Sequence, residues 1–359
     1  MRTRIRIRDG ILAGAAATAL TCWVAPAFAA PASCDHACLE KIGREYFSAY
    51  LKHDPAAAPF APNVRYSENN VRLKFPDGTW DTVTKDLGGT LIFSDPKTGG
   101  VAIFATIMQS TTPTYLGVRL KIVAGKITEI EHVAPTQRYT GVFVDPTKLP
   151  APVSYPDTER VLSASERISR AKMIEVANGY FNTLEHNDGT LKTKFGPNCQ
   201  RSENGGDTSR PSARAGAAAP AGAAAPPAPS QADVEKTRNC WFGFTQGSYA
   251  FNNRVRDRDF MLVDEDKGLV LVRAYIDHKG VLQNIPAVNG GKERPSGFRE
   301  PQTWSMFEMF KVENGGELGP IVARFIQVPY YTQPVWPNSA PRPDKEPDIA
   351  DYKSIPPRN

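Results

Sequence analysis

Pro62-Asn63-Val64-Arg65-Tyr66-Ser67-Glu68-Asn69 returns as Pro197-Asn198-Cys199-Gln200-Arg201-Ser202-Glu203-Asn204, with five of eight positions identical at a constant offset of 135. The correspondence extends in both directions. Phe47 to His53 (FSAYLKH) aligns with Tyr180 to His186 (YFNTLEH), and Leu120-Lys121-Ile122 with Phe310-Lys311-Val312. Matches in the same order at three places indicate a duplicated domain.

Each copy opens with an amphipathic helix. Leu39, Ile42, Tyr46 and Tyr50 recur at helical spacing in the first copy, and Ile174, Ala177, Phe181 and Leu184 in the second, where Ser169 is the expected N-cap. Strand-like runs follow: Val101 to Met108, Tyr115 to Ile122, Leu269 to Ile276 and Trp304 to Val312, separated by turn signals such as Asp95-Pro96 and Asn289-Gly290-Gly291. The pattern predicts an α+β chain of antiparallel sheets. VAIFATIM and LVLVRAYI are apolar at nearly every position, whereas a sheet with one wet face alternates. Both faces are therefore expected to be covered, one by the helix and the other by the sheet of the sister copy, as an intrachain pseudo-dimer.

The 359 residues form a soluble globular composition, 41% apolar and 23% charged. The first 29 residues predict an export signal: an Arg-rich start, the apolar run Ile11 to Leu20, and Ala27-Phe28-Ala29 before cleavage at Ala30. Without them the chain carries 39 basic against 37 acidic residues, which leaves no field to gather nucleic acid or anionic lipid. The expected address is exported, periplasmic or secreted, with no membrane segment after cleavage. Residues 145–163 are expected to link the copies, residues 205–236, rich in Ala and Pro, to form a flexible insertion, and residues 334–359 an extended tail.

Four cysteines remain after cleavage. An even number in an exported chain points to disulfides, and of three pairings the favoured one joins Cys34 to Cys38 and Cys199 to Cys240. Zinc is the competing reading, but no two-residue Cys spacing or paired-His motif accompanies it, and no metal is expected.

Cys34-x-x-x-Cys38-Leu39, His53-Asp54-Pro55 and Ala61 to Asn69 resemble the first half of a largely uncharacterised fungal and bacterial family. The second half resembles it through Cys199, Arg201, Glu203-Asn204-Gly205, Arg256 to Phe260, Val263-Asp264-Glu265, Asp277-His278 and Val328-Pro329-Tyr330. The resemblance is to tandem SnoaL-like domains, the nuclear transport factor 2-like cone in which a curved sheet wraps helices around a pocket. It implies domains over 34–144 and 164–333, no cofactor, and proton transfer on a small apolar or aromatic molecule where such domains are enzymes.

Strand alternation places Tyr66 and Glu68 on one face in the first copy, and Arg201 and Glu203 on one face in the second. An inward glutamate needs a partner or a raised pKa, which is how a general acid or base arises. The catalytic candidates are Glu203, His186, Arg201, Asp277 and His278; Tyr66, Glu68, Trp241 and Tyr275 are candidate substrate-binding residues, and Trp80 and Trp304 are further pocket aromatics. Each has a bland counterpart: Arg201–Glu203 as an ion pair, His186 and His53 as helix-end residues, His278 as an exposed strand end. Arg254, Arg256 and Arg258 read as a solvated stripe. The expected function is a monomeric small-molecule lyase, isomerase or dehydratase, and the alternative is a non-catalytic binding or interaction module. No Gly-x-Ser-x-Gly elbow, His-Glu-x-x-His helix or phosphate loop is present.

Overall fold

The computed structural model describes residues 34–135, 158–197, 199–209 and 239–338. The expected export signal, residues 145–157 of the expected linker, most of the Ala/Pro insertion and the tail beyond residue 338 lie outside them.

The first repeat begins with α1 (His36–Leu51), capped by the Asp35 carboxylate, which accepts the Cys38 N–H at 2.9 Å. Its apolar stripe, Leu39, Ile42, Tyr46 and Tyr50, is buried. After it come β1 (Phe60–Glu68), β2 (Val71–Leu73), the short α2 (Thr79–Thr82), β3 (Val83–Asp95), β4 (Gly100–Gln109), β5 (Thr112–Val123) and β6 (Lys126–Val133). The second repeat begins with α3 (Arg170–His186), capped by Ser169 and ended by Asn187 in the left-handed region. It continues with β7 (Arg201–Glu203), β8 (Gly206–Asp207), α4 (Phe242–Thr245), β9 (Arg254–Asp264), β10 (Leu269–His278), the two-residue β11 (Asn284–Ile285) and β12 (Arg294–Pro295), β13 (Gln302–Glu313) and β14 (Glu317–Pro329).

The two six-stranded sheets share one topology, β2-β1-β6-β5-β4-β3 and β8-β7-β14-β13-β10-β9. They are mixed rather than purely antiparallel, which corrects the expectation from sequence. The four long strands form an antiparallel meander, but its last strand returns beside the first strand of the repeat and runs parallel to it, β6 with β1 and β14 with β7. The architecture is α+β, with two main sheets, a helix on each, and the small two-stranded β11–β12 sheet among the described residues.

The all-apolar strands are explained by burial on both faces. On β4, Val101, Ile103, Ala105 and Ile107 pack with α1, whereas Ala102 and Phe104 join Leu262, Leu271, Phe307 and Met309 of the second sheet in a common core. On β10, Val270, Val272, Ala274 and Ile276 pack with α3, whereas Leu269 and Leu271 enter that same core. Ion pairs lie within the contact, with Arg273 3.3 Å from Glu131 and 3.1 Å from Asp259. The approach is close enough that a Cβ at Gly205 (φ 79°) would come 2.0 Å from the Tyr115 ring. Residues 333–338 then return to the first repeat, where the buried Trp336 donates to Ser67 Oγ at 2.6 Å and Arg65 and Arg119 lie over its ring.

Both favoured disulfides are formed, Cys34–Cys38 and Cys199–Cys240. Among the described residues no helix is long and apolar enough to cross a membrane.

Candidate functional site

Arg201 and Glu203 lie on one face of β7, two residues apart, as alternation predicts, and the charges of both bear on the Tyr180 hydroxyl of α3. Arg201 is 1% exposed. Its Nε donates to Thr208 Oγ1 at 2.9 Å and lies 3.5 Å from Glu203 Oε1, its Nη2 donates to the Tyr249 hydroxyl, and the rings of Phe244 and Tyr249 flank the guanidinium. Among the described residues Nη1 meets no acceptor although it is buried.

A second carboxyl faces the same interior, and nothing in the linear sequence marked it. Strand register places Ala323 of β14 opposite Glu203 on one side and Glu308 of β13 on the other. Two glutamates therefore share one rung with a single methyl between them, their Cα atoms roughly 10 Å apart at ordinary strand spacing. Glu308 is completely buried; among the described residues neither of its oxygens meets a donor within strict hydrogen-bonding geometry, although the Tyr180 hydroxyl of α3 lies beside the carboxyl. Burial, reinforced by the charge of Glu203 and only partly offset by that hydroxyl, which lowers it, pushes its carboxyl up to about 8. At neutral pH it is an undissociated acid beside an ion-paired carboxylate. The Glu203 side chain retains 18% exposure and connects this interior to solvent.

The first repeat uses the equivalent rung differently. Glu68 of β1 lies opposite His132 of β6, and His132 lies opposite Val118 of β5. Histidine thus stands where the second repeat has Ala323, and valine where it has Glu308. The Tyr46 hydroxyl meets His132 Nε2 at 2.7 Å, and Glu68 Oε2 accepts from Tyr66 at 2.7 Å and from the Thr79 hydroxyl at 2.5 Å. Burial pushes the Glu68 carboxyl up, but hydrogen bonds with His132, Thr79 and Tyr66 and the charge of His132 outweigh it and hold the carboxyl below its usual range. The rings of Tyr50 and Trp80 pack against Tyr46 and His132. Beside Tyr66 a cleft of about 500 Å³ opens to the surface, floored by Phe60, Phe75 and Trp336 and rimmed by Arg65, Arg72 and Lys74.

The other candidates lie elsewhere. His186 is an exposed ring at the end of α3, with Nδ1 2.9 Å from the Asn182 carbonyl, and His53 likewise follows its helix. Asp277 and His278 are neighbours on β10 and so point to opposite faces. Asp277 accepts from Arg254, Arg256 and Thr303 at 2.6–3.2 Å. His278 is not an exposed strand end: it is buried, stacked on Phe298 with ring centroids 4.4 Å apart, and desolvation lowers its pKa to about 3. Tyr275 faces the sister sheet rather than a pocket, and Trp241 packs at the margin of the second core. The arginine stripe is neither solvated nor on one face. A bulge with Asp257 at φ 52° sends Arg254 and Arg256 to Asp277 and turns Arg258 to Glu185, Asn178 and Asn182 on α3.

A domain of unknown function (DUF8021) matches residues 166–325, the second repeat. Among solved structures, AclR from Streptomyces galilaeus, provisionally described as a hydroxylase, aligns at 15% identity over 29% of this chain and 82% of its own, with a TM-score of 0.23. No curated protein matches the sequence.

Proposed function

We propose that the chain is an exported pair of SnoaL-like cones, spanning 34–144 and 164–333 and joined as an intrachain pseudo-dimer, whose second cone performs cofactor-independent acid–base chemistry on a small apolar or aromatic molecule. The repeated strand order supports the cones, and the shared core supports the pseudo-dimer. The two disulfides fit an oxidising compartment.

The observation that carries the chemistry is the unsatisfied polar interior of the second repeat. Buried polar groups in folded proteins are nearly always paired, and a cluster of orphans calls for a water or a ligand. Here, among the described residues, Arg201 Nη1 meets no acceptor and the Glu308 carboxyl has no well-formed hydrogen bond, with the Tyr180 hydroxyl beside it. Two carboxyls with contrasting environments divide the work of base and acid. Glu203 takes a proton from carbon next to a carbonyl. The oxygen that becomes negative accepts hydrogen bonds from Arg201 Nη1 and from the Glu308 O–H, which keeps its proton. Glu203 then returns its proton to another carbon, as in an isomerase, or to a leaving group that departs from the neighbouring carbon, as in a lyase.

Mass spectrometry of molecules that co-purify with the exported protein identifies the substrate class. With a substrate in hand, Glu203→Gln is expected to lower turnover roughly a hundredfold or more with little change in melting. A large loss of melting temperature with activity retained in the folded fraction would reassign Glu203 to a structural ion pair with Arg201.

The second reading is a non-catalytic binding module. The observation favouring it is the first repeat, where rings pack around His132 and an aromatic-floored cleft opens beside Tyr66. A co-purifying ligand that binds unchanged, with affinity weakened by substitutions at Tyr66 or Phe75 rather than at Glu203, would decide for it.

A further inference from the structure

The two repeats make one contact reciprocally, and only one direction of it is complete. α3 opens with Arg170, whose guanidinium lies 2.5 Å from Asp95 Oδ2 at the end of β3, and the same oxygen accepts the Val263 N–H at 3.0 Å. In the opposite direction α1 opens with His36, which faces Asp264 at the end of β9. Asp264 Oδ1 accepts the N–H groups of Asp266 and Lys267 at 3.1 and 2.9 Å. Among the described residues its Oδ2 meets no donor, although Asp264 is completely buried, and His36 Nδ1 is 3.8 Å away. A permanent cation closes one contact, and an imidazole stands at the other.

Glu40 follows His36 by one helical turn, which places both side chains on the same face of α1. One donor atom each from His36, Glu40 and Asp264 lie within 4.8 Å of one another. A nitrogen with two carboxylates suits a first-row divalent cation such as Zn²⁺ or Mn²⁺. Ser94 Oγ lies 2.9 Å from His36 Nδ1, and Asp266 Oδ2 lies 3.8 Å from Nε2, a carboxylate behind the ring of the kind that orients metal-binding histidines. The Cys34–Cys38 bridge ties the first turn of the helix that carries His36.

We propose that His36, Glu40 and Asp264 form a divalent-cation site that joins the helix of the first repeat to the edge strand of the second, in the place Arg170 holds in the reciprocal contact. Two cations already neighbour Glu40, Lys267 Nζ at 2.7 Å from Oε1 and Arg44 at 3.7 Å from Oε2. The metal therefore competes with the Lys267 amine for the carboxylate, and removing that amine strengthens binding.

The test uses the full oxidised chain, stripped with a chelator and titrated near neutral pH with Zn²⁺ alone and, in parallel, Mn²⁺ alone, read by calorimetry and thermal unfolding. One equivalent of at least one metal is expected to bind and raise the melting temperature. His36→Gln and Glu40→Gln, both at partly exposed positions, should each weaken affinity by about tenfold or more, and Lys267→Met should tighten it. Absence of binding by both metals, or affinity unchanged in both weakening variants, overturns the site. So does thermal stabilisation by acidification in a protein that takes up no metal, because protonated His36 would then be the cation Asp264 lacks.

Discussion

The Tyr275 hydroxyl donates to Asn70 Oδ1 at 2.6 Å, and the same oxygen accepts the Val335 backbone N–H at 3.2 Å. One side chain in the β1–β2 turn thus holds both the sister sheet and the returning C-terminal segment. Tyr275 pairs with Ser305 on its own sheet, whereas on the first sheet Thr106 pairs with Tyr115, which packs on Gly205 in the β7–β8 turn. Each sheet therefore offers one tyrosine to the corresponding turn of the other, from neighbouring strands.

Removing the hydroxyl with Tyr275→Phe leaves Asn70 Oδ1 with the Val335 N–H alone. The expected loss is about 1 kcal/mol of stability, measured by urea unfolding. No loss would mean that the contact forms without contributing net free energy.

Glu308 gives the chain a pH dependence of definite sign. Its carboxyl titrates near 4.5 when unfolded and at about 8 when folded, so over that window the folded state retains a proton that the unfolded state releases. Stability is expected to fall as pH rises from about 4.5 to about 8 and to level off above. Glu308→Gln removes this slope, so the variant should match wild type near the lower limit and exceed it near the upper one in denaturation midpoints. A variant less stable than wild type throughout would mean that the carboxyl is favourably paired.

Asp277→Asn leaves Arg254 and Arg256, both buried, without their shared carboxylate. Breaking a buried ion pair by removing one partner costs about 3–5 kcal/mol; because Arg256 keeps Asp257 Oδ2 at 2.6 Å, the lower end is expected here, enough to lower melting temperature. Asp277→Asn combined with Arg254→Met should recover part of that loss, and failure to recover would point to a role for Asp277 beyond charge balance.

Intact mass should show no alkylated cysteine without prior reduction. Cys199 and Cys240 are 41 positions apart, and by chain entropy a bridge of that span stabilises by at most about 4 kcal/mol. Replacing both cysteines with serine should lower the unfolding free energy by that amount plus the cost of placing two hydroxyls in the apolar core that holds both cysteines.

Much of the fold was legible in the linear pattern. The offset repeat, the stripe Leu39-Ile42-Tyr46-Tyr50, the Ser169 cap and the doubly apolar β4 and β10 follow from local periodicity, and they already imply two like domains covering each other. The shared face of Arg201 and Glu203 follows from alternation alone. Glu308 and His132 were missed because their importance depends on which strand lies beside which, and that pairing joins residues more than 60 positions apart across each rung. The arginine stripe was misread because one residue at Asp257 in the left-handed region shifts the alternation, and no side-chain pattern announces a bulge.

Sequence by itself determined the duplication, the α+β class and the burial of both sheet faces, because these rest on short-range spacing and on how much apolar surface each strand must hide. Tertiary structure alone decided that His132 stands between Glu68 and Val118 in one interior while Ala323 stands between Glu203 and Glu308 in the other. It also decided that Arg170 satisfies Asp95 while Asp264 lacks an equivalent cation. Charge and hydrogen-bond balance in a low-dielectric interior depend on every neighbour of a group, and those neighbours are set by strand register and by the packing of one repeat on the other.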